Sequence, residues 1–413
     1  MKQRQLFKSI FTYICLGVLI MSCENDNDPD PKITVTVSTK ATIGDAVNPY
    51  YLEGLSVNIT DTRTAEVTTC TLDENGVSEV MLYKGTYDIS IERAFDGYTE
   101  EEDCIYSAKK ENYSITDEGQ KVDLALNIYP ASAKNTGFIF SEIFFNGEKN
   151  QGWMMHPDQY YVVFNPTQQT LYADGLCIAT SAQASIIDKY EFYDKYMPTT
   201  VPLTGFVTVP GSGTDHPVKP GEKFVVAVTA IDHSQESTTL DDGTVILFDN
   251  AVDLSGADFE IYPDMYKGDK DVDNPDVANL LMTGDLYSHP RGFWSHLIFK
   301  LDNGLETTVK QFYDANNTLF KSSDNKERLL ILLDSEKISD GMVSGDARPL
   351  ITRPVPESVD RGYFQVSGCH SSELAIRKEI KIGNKIFYKD TNNSDDDFIN
   401  KKGQTPYPVG WRN

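Results

Sequence analysis

Positive charge is scarce in this chain of 413 residues, which has 37 Lys and Arg against 62 Asp and Glu and a formal net charge of −25. Proteins that bind nucleic acid neutralise phosphates with Lys and Arg, so this balance argues against a nucleic-acid partner. It also argues against a polybasic face that would bind anionic lipids. Hydrophobic residues make up 40% of the chain, which is typical of a globular protein and not of a disordered one.

Signatures of catalysis are missing as well. The sequence contains no H-E-x-x-H and no G-x-S-x-G motif, which are the patterns of zinc hydrolases and of the serine nucleophile elbow. Its six histidines are scattered, and a catalytic triad cannot be assembled from spacing alone. The motifs therefore predict no reaction.

The apolar run at the N-terminus is too short to span a bilayer as a helix, which needs about 20 residues. It extends from Ile10 to Met21 and follows Lys2, Arg4 and Lys8. A positively charged start, a short apolar core and small residues at the cleavage point are typical of a secretory signal. We therefore expect residues 1–22 to be a signal peptide.

The residues that follow predict an anchor and a tether. The sequence Leu19-Ile-Met-Ser-Cys23 resembles a bacterial lipobox, which implies acyl chains on Cys23 and a membrane as partner. Several chains anchor a protein durably, since each buried CH₂ contributes about 0.8 kcal/mol. Residues 23–31 are rich in Asp, Asn and Pro, which predicts a solvated tether. This acidic tether resembles the signal of Bacteroidetes lipoproteins on the outer face of the outer membrane, and a plain linker facing the periplasm is the alternative.

Cysteine is infrequent in the rest of the chain. Beyond the signal and the lipid cysteine, four remain: Cys70, Cys104, Cys177 and Cys369. An even number in an oxidising compartment permits disulfides, and we expect a pair in each of two domains, Cys70–Cys104 and Cys177–Cys369. Four buried thiols are the alternative, because cysteine also serves as a small core residue.

Residues 32–129 have the pattern of a β-sandwich. Apolar and polar residues alternate in short stretches, and the pair Asn75-Gly76 favours a tight hairpin turn. Many such strands with frequent turns are typical of a sandwich. The stretch Thr71–Ile89, with its D-x-N-G turn and its G-x-Y pair, resembles transthyretin-like or carboxypeptidase-regulatory-like modules. That resemblance implies a spacer or interaction role.

Residues 137–413 are predicted to form a larger β-rich body with a few short helices, one over Ala182–Tyr196, where apolar residues recur with a period near 3.6. The body resembles the lamin-tail fold, an immunoglobulin-like sandwich, although Val162 and Val163 stand where that fold carries an acidic residue. The matching features are Ser141-Glu-Ile143, Phe164-Asn-Pro166, the turn in Leu171–Ile178 and the strand entry Pro220-Gly-Glu222.

The whole chain resembles an uncharacterised family of Bacteroidetes surface lipoproteins. The features that carry this resemblance are the lipobox, the first module, the Ser-Glu-Ile body and the closing Asp390–Phe398. We therefore expect an all-β protein, with an immunoglobulin- or transthyretin-like sandwich followed by a lamin-tail-like domain.

Acidic loops are the candidates for a metal site. The alternating carboxylates of Asp269, Asp271 and Asp273 supply the kind of oxygens that Ca²⁺ prefers. An EF-hand is excluded, because the glycine and the final glutamate of that motif are missing. The segment Asp390–Asp397 is a second candidate. A solvated loop is the alternative for the first, and a turn closed by Asn and Asp side chains for the second.

Aromatic and arginine residues are the candidates for ligand contact. The segment His289-Pro-Arg-Gly-Phe-Trp-Ser-His296 contains Arg291 and Trp294, residue types that dominate binding hot spots. We expect His289, Arg291, Trp294 and His296 to contact a ligand. Trp153 joins them from Trp153-Met-Met-His156, where plain packing is the alternative. Copper binding there is disfavoured because neighbours in a strand point to opposite sides.

Two functions remain open from the sequence. The first is a non-enzymatic binding or accessory lipoprotein of the outer membrane, exposed at the cell surface. It would serve nutrient uptake or contact with a glycan or a protein, beside an outer-membrane receptor. The second is a cation-dependent surface hydrolase that uses the Asp-rich loops. No cofactor is expected, except Ca²⁺ in the second case.

Overall fold

The computed structural model describes residues 31–41, 52–95, 104–133, 136–147, 149–150, 153–154, 158–249, 251–261, 288–382 and 385–402. Within these ranges the fold is all-β with three short helices, which confirms the predicted fold class. None of these helices is long and apolar enough to span a membrane. The predicted signal peptide, Cys23, the tether before Pro31, and Asp269, Asp271 and Asp273 lie outside the described residues.

The described chain divides into two compact units. The first comprises the described residues within Met1–Thr39, Leu52–Ser90 and Lys109–Leu124. The second comprises those within Lys40–Tyr51, Ile91–Ala108 and Ala125–Asn413.

Seven strands lie between residues 33 and 130 and form one sheet in the order β3-β2-β5-β6-β7-β1-β4. They are β1 (Ile33–Ala41), β2 (Ser56–Asp61), β3 (Val67–Thr71), β4 (Val77–Leu82), β5 (Gly85–Phe95), β6 (Cys104–Ile115) and β7 (Gln120–Pro130). In β1 the side chains of Val35 and Val37 are fully buried, while Thr34 and Thr36 are partly exposed. This is the period of two that the sequence predicts.

The Asn75-Gly76 turn is present, but it does not close the predicted hairpin. Asp73 Oδ1 accepts hydrogen bonds from the backbone N–H groups of Asn75 and Val77, both at 2.9 Å. Gly76 has a φ of +71°, and a Cβ there would lie 2.8 Å from the carbonyl oxygen of Thr39. The strand after the turn, β4, pairs with β1 instead of β3. The turn therefore connects β3 and β4, which lie at opposite ends of the seven-stranded sheet.

The second unit contains the described strands after β7 and the three α-helices. They are β8 (Ile139–Phe144), β9 (Lys149–Asn150), β10 (Trp153–Met154), β11 (Tyr160–Phe164), β12 (Leu171–Tyr172), β13 (Leu176–Ala184), α1 (Tyr193–Tyr196), β14 (Thr200–Thr208), β15 (Pro217–Val218), β16 (Lys223–Ala227), β17 (Ser237–Thr239), β18 (Val245–Leu247), β19 (Phe259–Glu260), β20 (Trp294–Lys300), α2 (Glu306–Asn316), β21 (Asn317–Lys321), β22 (Glu327–Asp334), β23 (Ile338–Met342), β24 (Ser344–Gly345), β25 (Phe364–Gln365), β26 (Glu373–Arg377), β27 (Glu379–Ile382), β28 (Lys385–Tyr388), α3 (Ser394–Asp397) and β29 (Phe398–Lys402).

Two six-stranded sheets face each other in this unit. Their strand orders are β19-β16-β11-β8-β26-β29 and β21-β22-β14-β13-β20-β23. Phe140 and Tyr161 of the first sheet share one buried cluster with Ile178, Val207 and Ile298 of the second. The unit is therefore a sandwich with its main core between the sheets.

Both sheets are also covered on their outer faces. Val162 of the first sheet packs against Val252 and Leu254, and Phe299 of the second packs in one cluster with Val309 of α2. Every residue of β8, β11 and β13 is buried as a result. Strands that are buried on both faces lose the alternation of apolar and polar residues.

The structure forms neither of the two predicted disulfides. Cys70 is a thiol on β3, where it pairs across the ladder with Val57 and faces the interior. Cys177 is buried, with its Sγ 3.2 Å from Thr208 Oγ1, and burial raises the pKa of this thiol to about 12. Cys177 therefore acts as a small core residue, and Cys369 is a separate, partly exposed thiol.

Candidate binding site

The turn that carries His289 and Arg291 is fixed by its surroundings. Gly292 has a φ of +66°, and a Cβ there would lie 2.7 Å from Phe145 Cε2 and 2.9 Å from Ser344 Oγ. Asn146 Nδ2 donates to the carbonyl oxygen of Pro290 at 2.8 Å, and Ser344 Oγ donates to that of Gly292 at 2.8 Å. The turn is therefore held by the sandwich and requires glycine at this position.

A buried carboxylate holds two arginines beside this turn. Asp346 Oδ2 accepts from Arg291 Nη1 at 2.9 Å, and its two oxygens accept from Nε and Nη2 of Arg348, both at 2.8 Å. The Asp346 side chain is 5% exposed, whereas those of Arg291 and Arg348 are 42% and 49% exposed. We call these three residues the arginine clamp. Hydrogen bonds from Arg348, and then from Arg291, hold the pKa of Asp346 well below its usual range.

Aromatic side chains continue from the clamp. The guanidinium carbon of Arg348 lies 4.4 Å from the ring centroid of Phe293, a cation–π contact. The ring of His289 lies 4.4 Å from that of Phe293 and meets Trp294 edge-on at 5.4 Å. His289 Nδ1 accepts a hydrogen bond from the Arg291 backbone N–H at 3.1 Å, which fixes the orientation of the ring.

The clamp backbone is anchored from a third segment. Gln365 Nε2 donates to the carbonyl oxygens of Asp346 and Arg348, at 2.9 and 3.0 Å. The hydroxyl of Tyr363 donates to the carbonyl oxygen of Arg348 at 3.0 Å. The arginines are therefore positioned before any ligand arrives, which lowers the entropy cost of binding.

The structure groups three of the five predicted contact residues, His289, Arg291 and Trp294, all of which are partly exposed. The prediction for His296 is wrong, because this side chain is 1% exposed and lies in the interior, with Nδ1 3.2 Å from the hydroxyl of Tyr161. Trp153 lies on β10, but its side chain is outside the described part of the chain. Asp346, Arg348 and Phe293 were not predicted as contact residues.

The second acidic segment of the sequence surrounds an arginine. The side chain of Arg377 is 1% exposed; its Nη2 donates to Asp340 at 2.7 Å, and its Nη1 lies 3.3 Å from Asp390 and 3.9 Å from Asp397. Asp397 also accepts from the backbone N–H of Thr391 and Asn393, at 2.8 and 3.0 Å. A guanidinium thus contacts the carboxylates of Asp390 and Asp397, and turn hydrogen bonds also occupy that of Asp397. Across the described residues, no three His, Cys, Asp or Glu side chains are arranged to hold a metal ion.

The glutamate of the Ser-Glu-Ile motif is buried. Glu142 is 9% exposed, and its Oε2 accepts from the hydroxyl of Tyr160 at 3.2 Å. Burial raises the pKa of Glu142 to about 7, against the opposing charges of Lys223 and Lys401. Burial also lowers the pKa of Lys223.

The burial of Glu142 predicts that its contribution to the unfolding free energy falls as the pH rises. The folded chain holds the Glu142 proton more tightly than the unfolded chain does, so its stabilising contribution is complete below pH 4.5 and is lost as the pH rises through about 7. Between pH 5 and pH 8, the unfolding free energy of the wild type should fall more than that of Glu142→Gln. The difference should reach up to about 3 kcal/mol, at roughly 1.4 kcal/mol per unit of pKa shift. Urea unfolding at both pH values measures this. Glu327→Gln, at an exposed glutamate, is the matched control, and equal slopes in wild type and Glu142→Gln would contradict the prediction.

Comparison with known proteins supports the fold. The model of the DUF4876 family, described as a protein of unknown function, matches residues 219–405, less than half of the chain. That range contains the whole arginine clamp. The crystal structure of a DUF4876 family protein from Bacteroides thetaiotaomicron is similar, with a TM-score of 0.58 and 19% identity, over 92% of this chain and 97% of that chain. At this identity, the similarity shows a shared fold.

A weaker match is a DUF3823 family protein from Parabacteroides merdae, with 10% identity and a TM-score of 0.16, over 37% of this chain and 67% of that chain. This score is too low to indicate a shared fold. No curated protein matches the chain. The chain is thus similar to an uncharacterised Bacteroidetes family, in agreement with the coarser part of the sequence prediction.

Proposed function

We propose that this protein is a non-enzymatic binding component of the outer membrane, attached through acyl chains on Cys23 and exposed at the cell surface. The lipobox and the acidic tether support this location. The resemblance of residues 32–129 to transthyretin-like domains supports a spacer role for this module. The ligand-binding role belongs to the arginine clamp and its aromatic neighbours in the second unit.

The observation that carries the binding role is the geometry of the clamp. Two arginine side chains, each almost half exposed, are held on one buried carboxylate. A surface arginine normally loses much conformational entropy when it binds a ligand, whereas a pre-positioned one loses less. Arginine and tryptophan are also the residues that contribute most at binding surfaces. The ligand is a nutrient glycan or a surface protein. An outer-membrane receptor is the partner of the protein in the membrane.

The binding role is tested with arrays of glycans and of surface proteins, probed with the full mature chain. We expect signals that the double substitution Trp294→Ala and Arg348→Ala lowers tenfold or more. Arg328→Gln is the matched control, since Arg328 is exposed and stacks on Tyr190 at 4.2 Å in the same unit, outside the clamp. Signals that the double substitution leaves unchanged would refute the role of the clamp.

The location is tested separately. Radiolabelled palmitate should enter the wild type and not Cys23→Ala, and protease added to whole cells should degrade the anchored protein. Absence of label in the wild type would refute the anchor. Full protection from protease would instead place the protein in the periplasm. The alternative function, a cation-dependent hydrolase, depends on Asp269, Asp271 and Asp273, which lie outside the described residues.

A further inference from the structure

We infer that the arginine clamp recognises one carboxylate group attached to a sugar ring, as in a hexuronic acid, an inference that rests on the proposed binding role of the clamp. Three features of the cluster support it: the unused hydrogen-bond donors of the arginines, the net charge and the exposed aromatic ring.

The clamp leaves hydrogen-bond donors unused. Arg291 contacts Asp346 through Nη1, and Arg348 does so through Nε and Nη2. Within the described part of the chain, Nε and Nη2 of Arg291 and Nη1 of Arg348 have no hydrogen-bond partner. Guanidinium groups match planar oxyanions, and a carboxylate is bound through two parallel hydrogen bonds. The remaining donors therefore favour an oxyanion.

The charge of the cluster favours a single negative charge. Arg291 and Arg348 supply two positive charges, and Asp346 stays ionised because the two arginines depress its pKa. Burial raises the pKa of the neighbouring Cys369 thiol, which keeps that group neutral. The cluster thus carries one net positive charge in a chain of net charge −25. The field of such a chain repels a dianion or a polyanion more strongly than a monoanion.

The aromatic neighbours favour a ring beside the carboxylate. Phe293 already packs against Arg348 and His289. Trp294 is partly exposed and meets His289 only edge-on, at an interplanar angle of 90°. An indole combines a large apolar face with a polar N–H. We expect the C–H groups on one face of a pyranose to pack against such a ring, and the carboxylate to bind the arginines.

Isothermal titration calorimetry of the full mature chain with four probes tests this inference: sodium glucuronate, glucose, sodium acetate and inorganic phosphate. We expect glucuronate to bind at least tenfold more tightly than each of the others. Arg348→Gln and Trp294→Ala should each raise the Kd for glucuronate tenfold or more, and Arg328→Gln should leave it unchanged. A thermal melt of each variant confirms that it is folded.

The results separate this inference from the proposed function. If glucose binds as tightly as glucuronate, or if phosphate binds more tightly, the carboxylate specificity is wrong. If acetate matches glucuronate, the sugar ring contributes nothing and the inference is wrong. In these cases, array signals that depend on the clamp would still support the binding role. If no probe and no array signal responds to the clamp substitutions, both proposals fail.

Discussion

Replacing Arg377 with Met is expected to destabilise the second unit by about 3–5 kcal/mol, the cost typical of removing one partner from a buried ion pair. The guanidinium is fully enclosed. Its Nε donates to the carbonyl oxygen of Phe140 at 2.6 Å, and Nη1 donates to that of Lys389 at 2.9 Å. Its carbon lies 4.5 Å from the ring centroid of Phe398. The substitution would remove this guanidinium from the buried carboxylates of Asp340, Asp390 and Asp397.

The size of this effect follows from the position of the arginine in the fold. Arg377 ends β26, which lies between β8 and β29 in the first six-stranded sheet. Its partner Asp340 belongs to β23 at the edge of the second sheet, and Asp340 Oδ2 also accepts from the backbone N–H of Phe140 on β8 at 2.7 Å. The ion pair therefore connects the two layers of the sandwich.

Urea unfolding followed by tryptophan fluorescence measures the effect. All three tryptophans of the chain come after residue 150, so the signal reports on the second unit. Arg377→Lys should be intermediate, because lysine keeps the charge but lacks the planar fork. Arg328→Met, at an exposed arginine, should change the unfolding free energy by less than about 0.5 kcal/mol.

A second substitution separates charge from packing. If uncompensated charge causes the loss, adding Asp340→Asn to Arg377→Met should recover at least about 1 kcal/mol, since it removes one of the buried charges. If lost packing causes it, the double variant should be no more stable than the single one. A single variant with wild-type stability would contradict the electrostatic role of Arg377.

Strand content was predictable from the sequence, but strand pairing was not. The alternation around Val35 and Val37 identifies β1 because one face of that strand is buried. The Asn75-Gly76 pair specifies the conformation of a turn, but it does not specify that β4 pairs with β1. Pairing depends on contacts between distant segments, and no local pattern records these contacts.

The helix predicted over Ala182–Tyr196 is largely absent from the structure. Only α1, from Tyr193 to Tyr196, is helical, and Ala182 lies on β13. Ala182 and Phe192 instead share a buried cluster with Leu330 of β22. Tertiary packing has overridden a periodic pattern, as it often does for short segments.

Only part of the candidate site was predictable from the sequence, because the rest of it comes from distant segments. His289, Arg291 and Trp294 lie within one short segment, so their residue types alone indicate a binding site. Asp346 and Arg348 come from a loop after β24 that has no unusual composition. They join the site through the contact of Arg291 with Asp346, while Gln365 and Tyr363 hold the backbone of that loop. His296 is only two residues from Trp294 in sequence, yet β20 places it in the core.

Acidification is expected to destabilise the second unit through His296. This histidine is 1% exposed and stacks on Phe145 with ring centroids 5.3 Å apart. Burial lowers its pKa from 6.5 to about 3. The folded chain therefore keeps His296 neutral, whereas the unfolded chain takes up a proton below pH 6.5. The stabilising contribution is complete above pH 6.5 and is lost as the pH falls towards 3.

Each pH unit below 6.5 lowers the contribution of His296 by about 1.4 kcal/mol, so the loss between pH 7 and pH 4.5 is about 3 kcal/mol. His296→Asn cannot titrate. This variant should be less stable than the wild type at pH 7, because it leaves a cavity. Between pH 7 and pH 4.5, however, its unfolding free energy should fall by about 3 kcal/mol less than that of the wild type. His216→Asn, at a partly exposed histidine of the same unit, is the control for removing a histidine.

The hydrogen bonds of His296 explain why protonation is unfavourable. Nδ1 lies 3.2 Å from the hydroxyl of Tyr161, which lies 2.5 Å from Ser288 Oγ. Nε2 is buried without a hydrogen-bond partner in the described part of the chain. If Nδ1–H donates to Tyr161, Nε2 is left as a bare lone pair, which costs less than a buried N–H without an acceptor. Protonation creates that N–H and a buried charge together. Identical pH slopes for wild type and His296→Asn would show that water or an acceptor reaches Nε2.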